Sequence, residues 1–101
     1  MSKSEALAKL SISSSRWEKD GFGTIMKASF VLHNGNAFPV KDLTVTCVHT
    51  ANSGTKIDSN TRTVYERIGA DQYYSVTDMS MGFIHSAVSS STCRVTNFAP
   101  A

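Results

Sequence analysis

The chain has 101 residues, 41% hydrophobic and 18% charged, with ten Lys and Arg against eight Asp and Glu for a formal charge of +2. That is material for one domain around one core and too apolar for a disordered chain. A large enzyme, a basic nucleic-acid binder and a membrane channel are excluded, since the charge is small and no stretch approaches the roughly 20 apolar residues of a membrane span.

Residues 1–9 carry a short helical pattern, with Leu7 and Leu10 three apart, and form an N-terminal extension too short to be a stable helix alone. They contain no uninterrupted apolar run and no small-residue cleavage pattern, so they are not a signal peptide. The sequence therefore reads as cytoplasmic as it stands, or as an exported domain whose leader has been removed. Ala8 to Glu18 reads as a first strand with Trp17 in the core or at its edge, and Lys19-Asp20-Gly21-Phe22-Gly23 as a turn.

Thr24 to Asn34 is the clearest strand. Met26, Ala28, Phe30 and Leu32 share one face, and Lys27, Ser29, Val31 and His33 the other. Asn34-Gly35-Asn36-Ala37-Phe38-Pro39 breaks it as a loop. Asp42 to Thr50 follows, with Leu43, Val45 and Cys47 inward. After a turn at Asn52-Ser53-Gly54-Thr55, Thr61 to Ile68 is a further strand. Gly69-Ala70-Asp71 turns into Gln72 to Met81, with Tyr74, Val76 and Met79 inward, and Ser91 to Phe98 is the last strand. Six or seven short strands, each with one apolar face, predict an all-β, immunoglobulin-like antiparallel β-sandwich spanning 10–98, with a tail at 99–101.

The residues that could carry chemistry are few. His33, His49 and His85 have no recognised metal-ligand spacing, and His33 and His49 fall at far ends of what reads as an antiparallel pair. No G-x-S-x-G elbow supports a serine hydrolase, and Gly21-Phe22-Gly23 lacks the Lys and helix of a phosphate loop. Asp42 reads as a turn-capping carboxylate, with a ligand contact as the alternative, and Asn34 as a corner residue in a left-handed or Asx-turn conformation. Cys47 and Cys93 form no CxxC. On separate strands they suit one structural disulfide or two buried free thiols, and the residues alone leave both open. The remaining leads are Phe22, Phe38, Tyr73 and Phe83, aromatics in or near predicted turns that would serve as interface anchors, and unpaired strand edges that would accept a peptide or another copy. Lys56, Asp58, Arg62 and Arg67 flank the middle strands and could instead block such pairing, and the sequence does not decide between the two.

The run Ala28-Ser29-Phe30-Val31-Leu32-His33-Asn34, the segment Pro39-Val40-Lys41-Asp42 and the strand Leu43-Thr44-Val45-Thr46-Cys47 together resemble the FxLYD-type family of small bacterial envelope domains, in which a strand ends in an Asn corner and leads through a short loop to a V-x-D strand. Ser53-Gly54-Thr55, the strand around Tyr65 and Asp78-Met79-Ser80-Met81-Gly82-Phe83-Ile84 look similar too. The closing Ser91-Thr92-Cys93, with a partner like Cys47, is similar to that of related uncharacterised bacterial proteins. The resemblance covers roughly residues 17–97. It implies an immunoglobulin-like fold outside the inner membrane, a Cys47–Cys93 disulfide, and no catalytic residues.

The expectation is a non-catalytic module without cofactor, metal or nucleic acid, binding a protein partner or its own copy in the bacterial envelope, periplasmic if a leader was removed. The alternatives are a small-ligand or metal-binding protein using the loop aromatics or histidines, and a cytosolic inhibitor or accessory protein with reduced thiols.

Overall fold

Period-two alternation of apolar and polar residues forces a strand to cover one face, and six strands of this kind settle as two layers. The computed structural model describes residues 2–20 and 23–101. The elements are α1 (Lys3–Ala8), β1 (Leu10–Asp20), β2 (Ile25–Asn34), β3 (Val40–Thr50), β4 (Lys56–Ile68), β5 (Tyr73–Phe83) and β6 (Ser90–Pro100). One antiparallel sheet has the order β1-β2-β5 and the other β4-β3-β6. Met26, Ala28, Phe30 and Leu32 of β2 face Leu43, Val45 and Cys47 of β3 across the layer boundary, all buried, as their alternation predicts.

Boundaries differ where pairing overrides local pattern. Ala8 closes α1, so β1 starts at Leu10 rather than Ala8. A capping box holds this short helix: Glu5 N–H donates to Ser2 Oγ at 3.2 Å and Ser2 N–H to Glu5 Oε1 at 3.3 Å. Strand β4 starts at Lys56 rather than Thr61, because β3 offers a ladder as far as Thr50, opposite Lys56. Strand β6 runs to Pro100, opposite Val40, and takes in residues expected as a tail.

The central strands β2 and β3 do not pair, so His33 and His49 lie in different sheets and not at opposite ends of one hairpin. The Asn34 corner sends the chain across. Its Oδ1 accepts from Asn36 N–H at 3.0 Å, the expected Asx geometry, but its backbone is not left-handed. Its Nδ2 reaches the carbonyls of Phe38 at 2.8 Å and of Ile68 and Gly69 at 3.1 Å. Asn36 Nδ2 donates to Asn34 Oδ1 at 3.0 Å and to the Ala6 carbonyl at 3.1 Å. Two buried asparagines thus tie α1, the crossing loop and the β4–β5 turn together.

Asp42 has φ 51° and sits in a β-bulge between Lys41 and Leu43, two residues inside β3, so it is not a strand-opening cap. Ser14 and Asp78 take the same left-handed conformation, with φ of 51° and 50°, at bulges in β1 and β5. Short polar side chains tolerate this backbone where β-branched ones do not.

Candidate functional site

Of the four aromatics expected as interface anchors, Phe22 lies outside the described residues. Phe38 is half-buried against the core, where it lines a cleft of about 270 Å³ with Ala6, Phe98 and Pro100; its loop folds it inward and it is not an exposed anchor. Tyr73 is 67% exposed, yet its ring stacks on His33 at 4.3 Å between centroids. Phe83 is 80% exposed at the far end of the same strand. Tyr65, 79% exposed on β4, was not among the expected anchors, because Val64 before it is buried and the run reads as a core strand. Tyr73 and Phe83 sit at opposite ends of β5, so the structure does not gather these aromatics into one patch.

The histidines serve three separate local structures. His33 Nε2 meets Asp71 Oδ1 at 2.9 Å, and His85 Nδ1 accepts from Ala87 N–H at 3.0 Å. His49 is 0% exposed; its Nδ1 meets Ser91 Oγ at 3.0 Å, and its Nε2 makes no hydrogen bond among the described residues. Burial pushes its pKa below the ordinary imidazole value, opposed by Asn60 and the Asp58 carboxylate. Among the described residues no three His, Cys, Asp or Glu side chains come together to hold a metal.

Cys47 and Cys93 are bridged, which overturns the two-free-thiol alternative. The bridge lies within one sheet, between directly opposed residues of β3 and β6. It fastens β6, which pairs only with β3 among the described residues, to the centre of its sheet.

The outer face of the β1-β2-β5 sheet carries a depression of about 270 Å³ lined by Arg16, Trp17, Glu18, Lys27, Ser29 and Asp78. The bulges of β1 and β5 flank Ser29 here. Ser29 Oγ accepts the Asp78 N–H at 2.9 Å, so it supplies a partner that the interrupted ladder does not. Lys27 is held by Asp20 at 3.1 Å. With both signs of charge and an open shape, the depression favours no particular ligand charge.

A sharper contrast separates the two flanks of the sandwich, where the sheets' outer strands lie side by side. On the β4–β5 flank, the β4 residues opposite the inward Val45, Cys47 and His49 are Arg62, Asn60 and Asp58. Asn60 Nδ2 donates to the Phe83 carbonyl at 2.9 Å. Gly82, at φ 97°, leaves room for the Arg62 guanidinium, whose Nη2 lies 2.5 Å from where a Cβ would stand. Polar side chains therefore cross that flank at Asn60 and Arg62. On the β1–β6 flank the inward rows are apolar: Ile12 and Trp17 from β1, Cys93 and Val95 from β6, all half-buried. One side-chain bond closes the end of this flank, from Lys19 Nζ to the Ser86 carbonyl at 2.9 Å, short of β6 itself.

The backbone at that flank is available as well. Ser90 to Val95 pairs residue for residue with Thr50 to Val45, without a bulge. One charge, Arg94, lies in β6, against five in β4 (Lys56, Asp58, Arg62, Glu66 and Arg67). Strands β1 and β5 are broken by bulges, and β6 has one only past this stretch, at Thr96. Natural sheets guard their edges with charges and bulges, and β6 from Ser90 to Val95 is the least guarded of the four. Lys56, Asp58, Arg62 and Arg67 lie on β4, at the edge of its sheet. Charge alone does not single out β6, since β5 also carries one charge, Asp78; its position at an edge required the strand order.

No helix among the described residues is long and apolar enough to cross a membrane. No family model, curated protein or solved structure matches the chain.

Proposed function

We propose that this chain is a non-catalytic binding module of immunoglobulin type that works outside the cytoplasm, in a bacterial envelope, and engages a protein strand along β6. One observation carries the reading: the unguarded Ser90–Val95 edge borders an apolar seam of Ile12, Trp17, Cys93 and Val95. Strand addition needs both features, since main-chain hydrogen bonds supply affinity and alternate side chains supply selectivity. A strand added beside β6 would pair its free backbone groups and cover the seam at the same time.

The strand order β1-β2-β5 over β4-β3-β6 supports the immunoglobulin-type reading. It corresponds to strands A, B and E over C′, C and F. The disulfide supports an oxidising compartment. The FxLYD-type resemblance points the same way. The absence of any elbow, phosphate loop or metal cluster among the described residues leaves no positive ground for an enzyme.

Site-specific photo-crosslinking tests the reading. A photoreactive residue at Val95 in the exported, oxidised chain is expected to give a discrete adduct in the producing cell, and the same residue at Tyr65 on β4 none. No adduct at Val95, or equal adducts at both positions, would overturn it.

A further inference from the structure

The seam restricts what can add to β6, and we infer that its partner is β6 of a second copy, paired antiparallel about Cys93 to join two β4-β3-β6 sheets into one of six strands. The inference rests on the strand-acceptor reading above and names the occupant.

Strand β6 is complementary to itself. A strand that covers the seam must present small or apolar side chains inward at every second position and tolerate hydroxyl-bearing neighbours outward. Strand β6 has this pattern itself: Ser91, Cys93 and Val95 are half-buried on the inner row, and Thr92 and Arg94 are exposed on the outer. A two-fold axis perpendicular to the sheet keeps inner rows inner, and one patch then serves both copies. Centred on Cys93, the pairing sets Ser91 against Val95 of the second copy and Thr92 against Arg94. The one charge of the strand then meets a hydroxyl and not its own image, which would oppose pairing. A formal charge of only +2 adds little repulsion between whole chains. The pairing would bring Ile12 and Trp17 of both copies under cover together with Val95.

Trp17 is the chain's one tryptophan, so the seam carries its own reporter. The test is sedimentation equilibrium of the full oxidised chain over a wide concentration range, with Trp17 emission read on the same samples. The expected result is a rise from 10.9 kDa to twice that mass, with emission moving to shorter wavelength over the same range. Val95→Lys, which places a charge on the inner row at the edge, is expected to weaken association by about tenfold or more. Tyr65→Lys on β4 should leave it unchanged. A mass of 10.9 kDa at every concentration overturns the inference. So does association that leaves Trp17 emission fixed, or a folded Val95→Lys chain that associates like the parent. If Val95→Lys fails to fold, emission and mass in the unsubstituted chain still decide. A monomer whose Val95 crosslinks to a different protein removes the second copy and keeps the strand-acceptor reading; a monomer with no adduct at Val95 removes both.

Discussion

At the scale of single residues, buried polar groups carry most of what the alternation pattern leaves out. His49 sits at 0% exposure with one ring nitrogen on Ser91 and the other without a hydrogen bond among the described residues. A proton bound there has to be desolvated, so the folded state holds His49 neutral and its pKa falls below the ordinary 6.5. The unfolded chain then binds more protons than the folded one as pH drops. The contribution is full above about 6.5 and is lost as pH falls from there towards the lower folded-state value. Urea midpoints should therefore fall between pH 7.5 and 5, and His49→Gln should flatten that slope; an unchanged slope in the variant would place the pH dependence elsewhere. Asn34 makes a second case. Its side chain serves three carbonyls and one neighbouring amide from a fully buried position. Asn34→Ala strands several of these groups and should cost about 2–4 kcal/mol, read by chemical denaturation. The corner role of Asn34 was legible in the Asn-Gly-Asn run. That Asn36 would reach back to the Ala6 carbonyl was not, because the contact spans thirty residues and depends on where α1 docks.

At the scale of elements, the faces of β2 and β3 were readable because their alternation is unbroken from Met26 to Leu32 and from Leu43 to Cys47. Their separation into different sheets was not, since alternation assigns faces and not neighbours. The bulges at Ser14, Asp42 and Asp78 were missed for a related reason: a bulge is a property of a pair of strands. At the β5 bulge, Ser29→Ala removes the acceptor of the Asp78 N–H in a site where water has limited access. The expected loss is about 1–3 kcal/mol, while Ser29→Thr, which keeps the hydroxyl, should lose less; equal losses would show that the hydroxyl is not what matters. The disulfide closes a separation of 46 residues, for which chain entropy gives about 4 kcal/mol. Reduction, or Cys47→Ala with Cys93→Ala, should lower the denaturation midpoint accordingly. Because the bridge pins an edge strand, amides of β6 should lose more protection than those of β2.

At the scale of the whole molecule, the two flanks of one sandwich have been given opposite chemistry. Strand β4 sets Asp58, Asn60 and Arg62 opposite the inward row of β3, with Asn60 bonded to the Phe83 carbonyl of β5 and Arg62 lying over Gly82. Strand β6 presents Cys93 and Val95 inward and leaves the seam with Ile12 and Trp17 only half-buried. From the sequence, charged residues on the middle strands were one way to block an edge, and aromatics were expected to mark an interface. Those aromatics were expected at loop tips, and Phe38 and Tyr73 turn out to be engaged with the core and with His33. The decisive information, which strand lies at which edge, comes only from long-range pairing. Residue-resolved amide exchange on the oxidised chain, dilute enough to be monomeric, tests the open edge most directly. In an antiparallel edge strand alternate amides face the neighbour and alternate amides face out. Within Ser90–Val95, every second amide should exchange fast and its neighbours, bonded to β3, slowly, with the fast set slowing when a partner strand binds. Uniform slow exchange along this segment in the isolated monomer would show that the β6 edge is already covered, and would contradict its assignment as the binding surface.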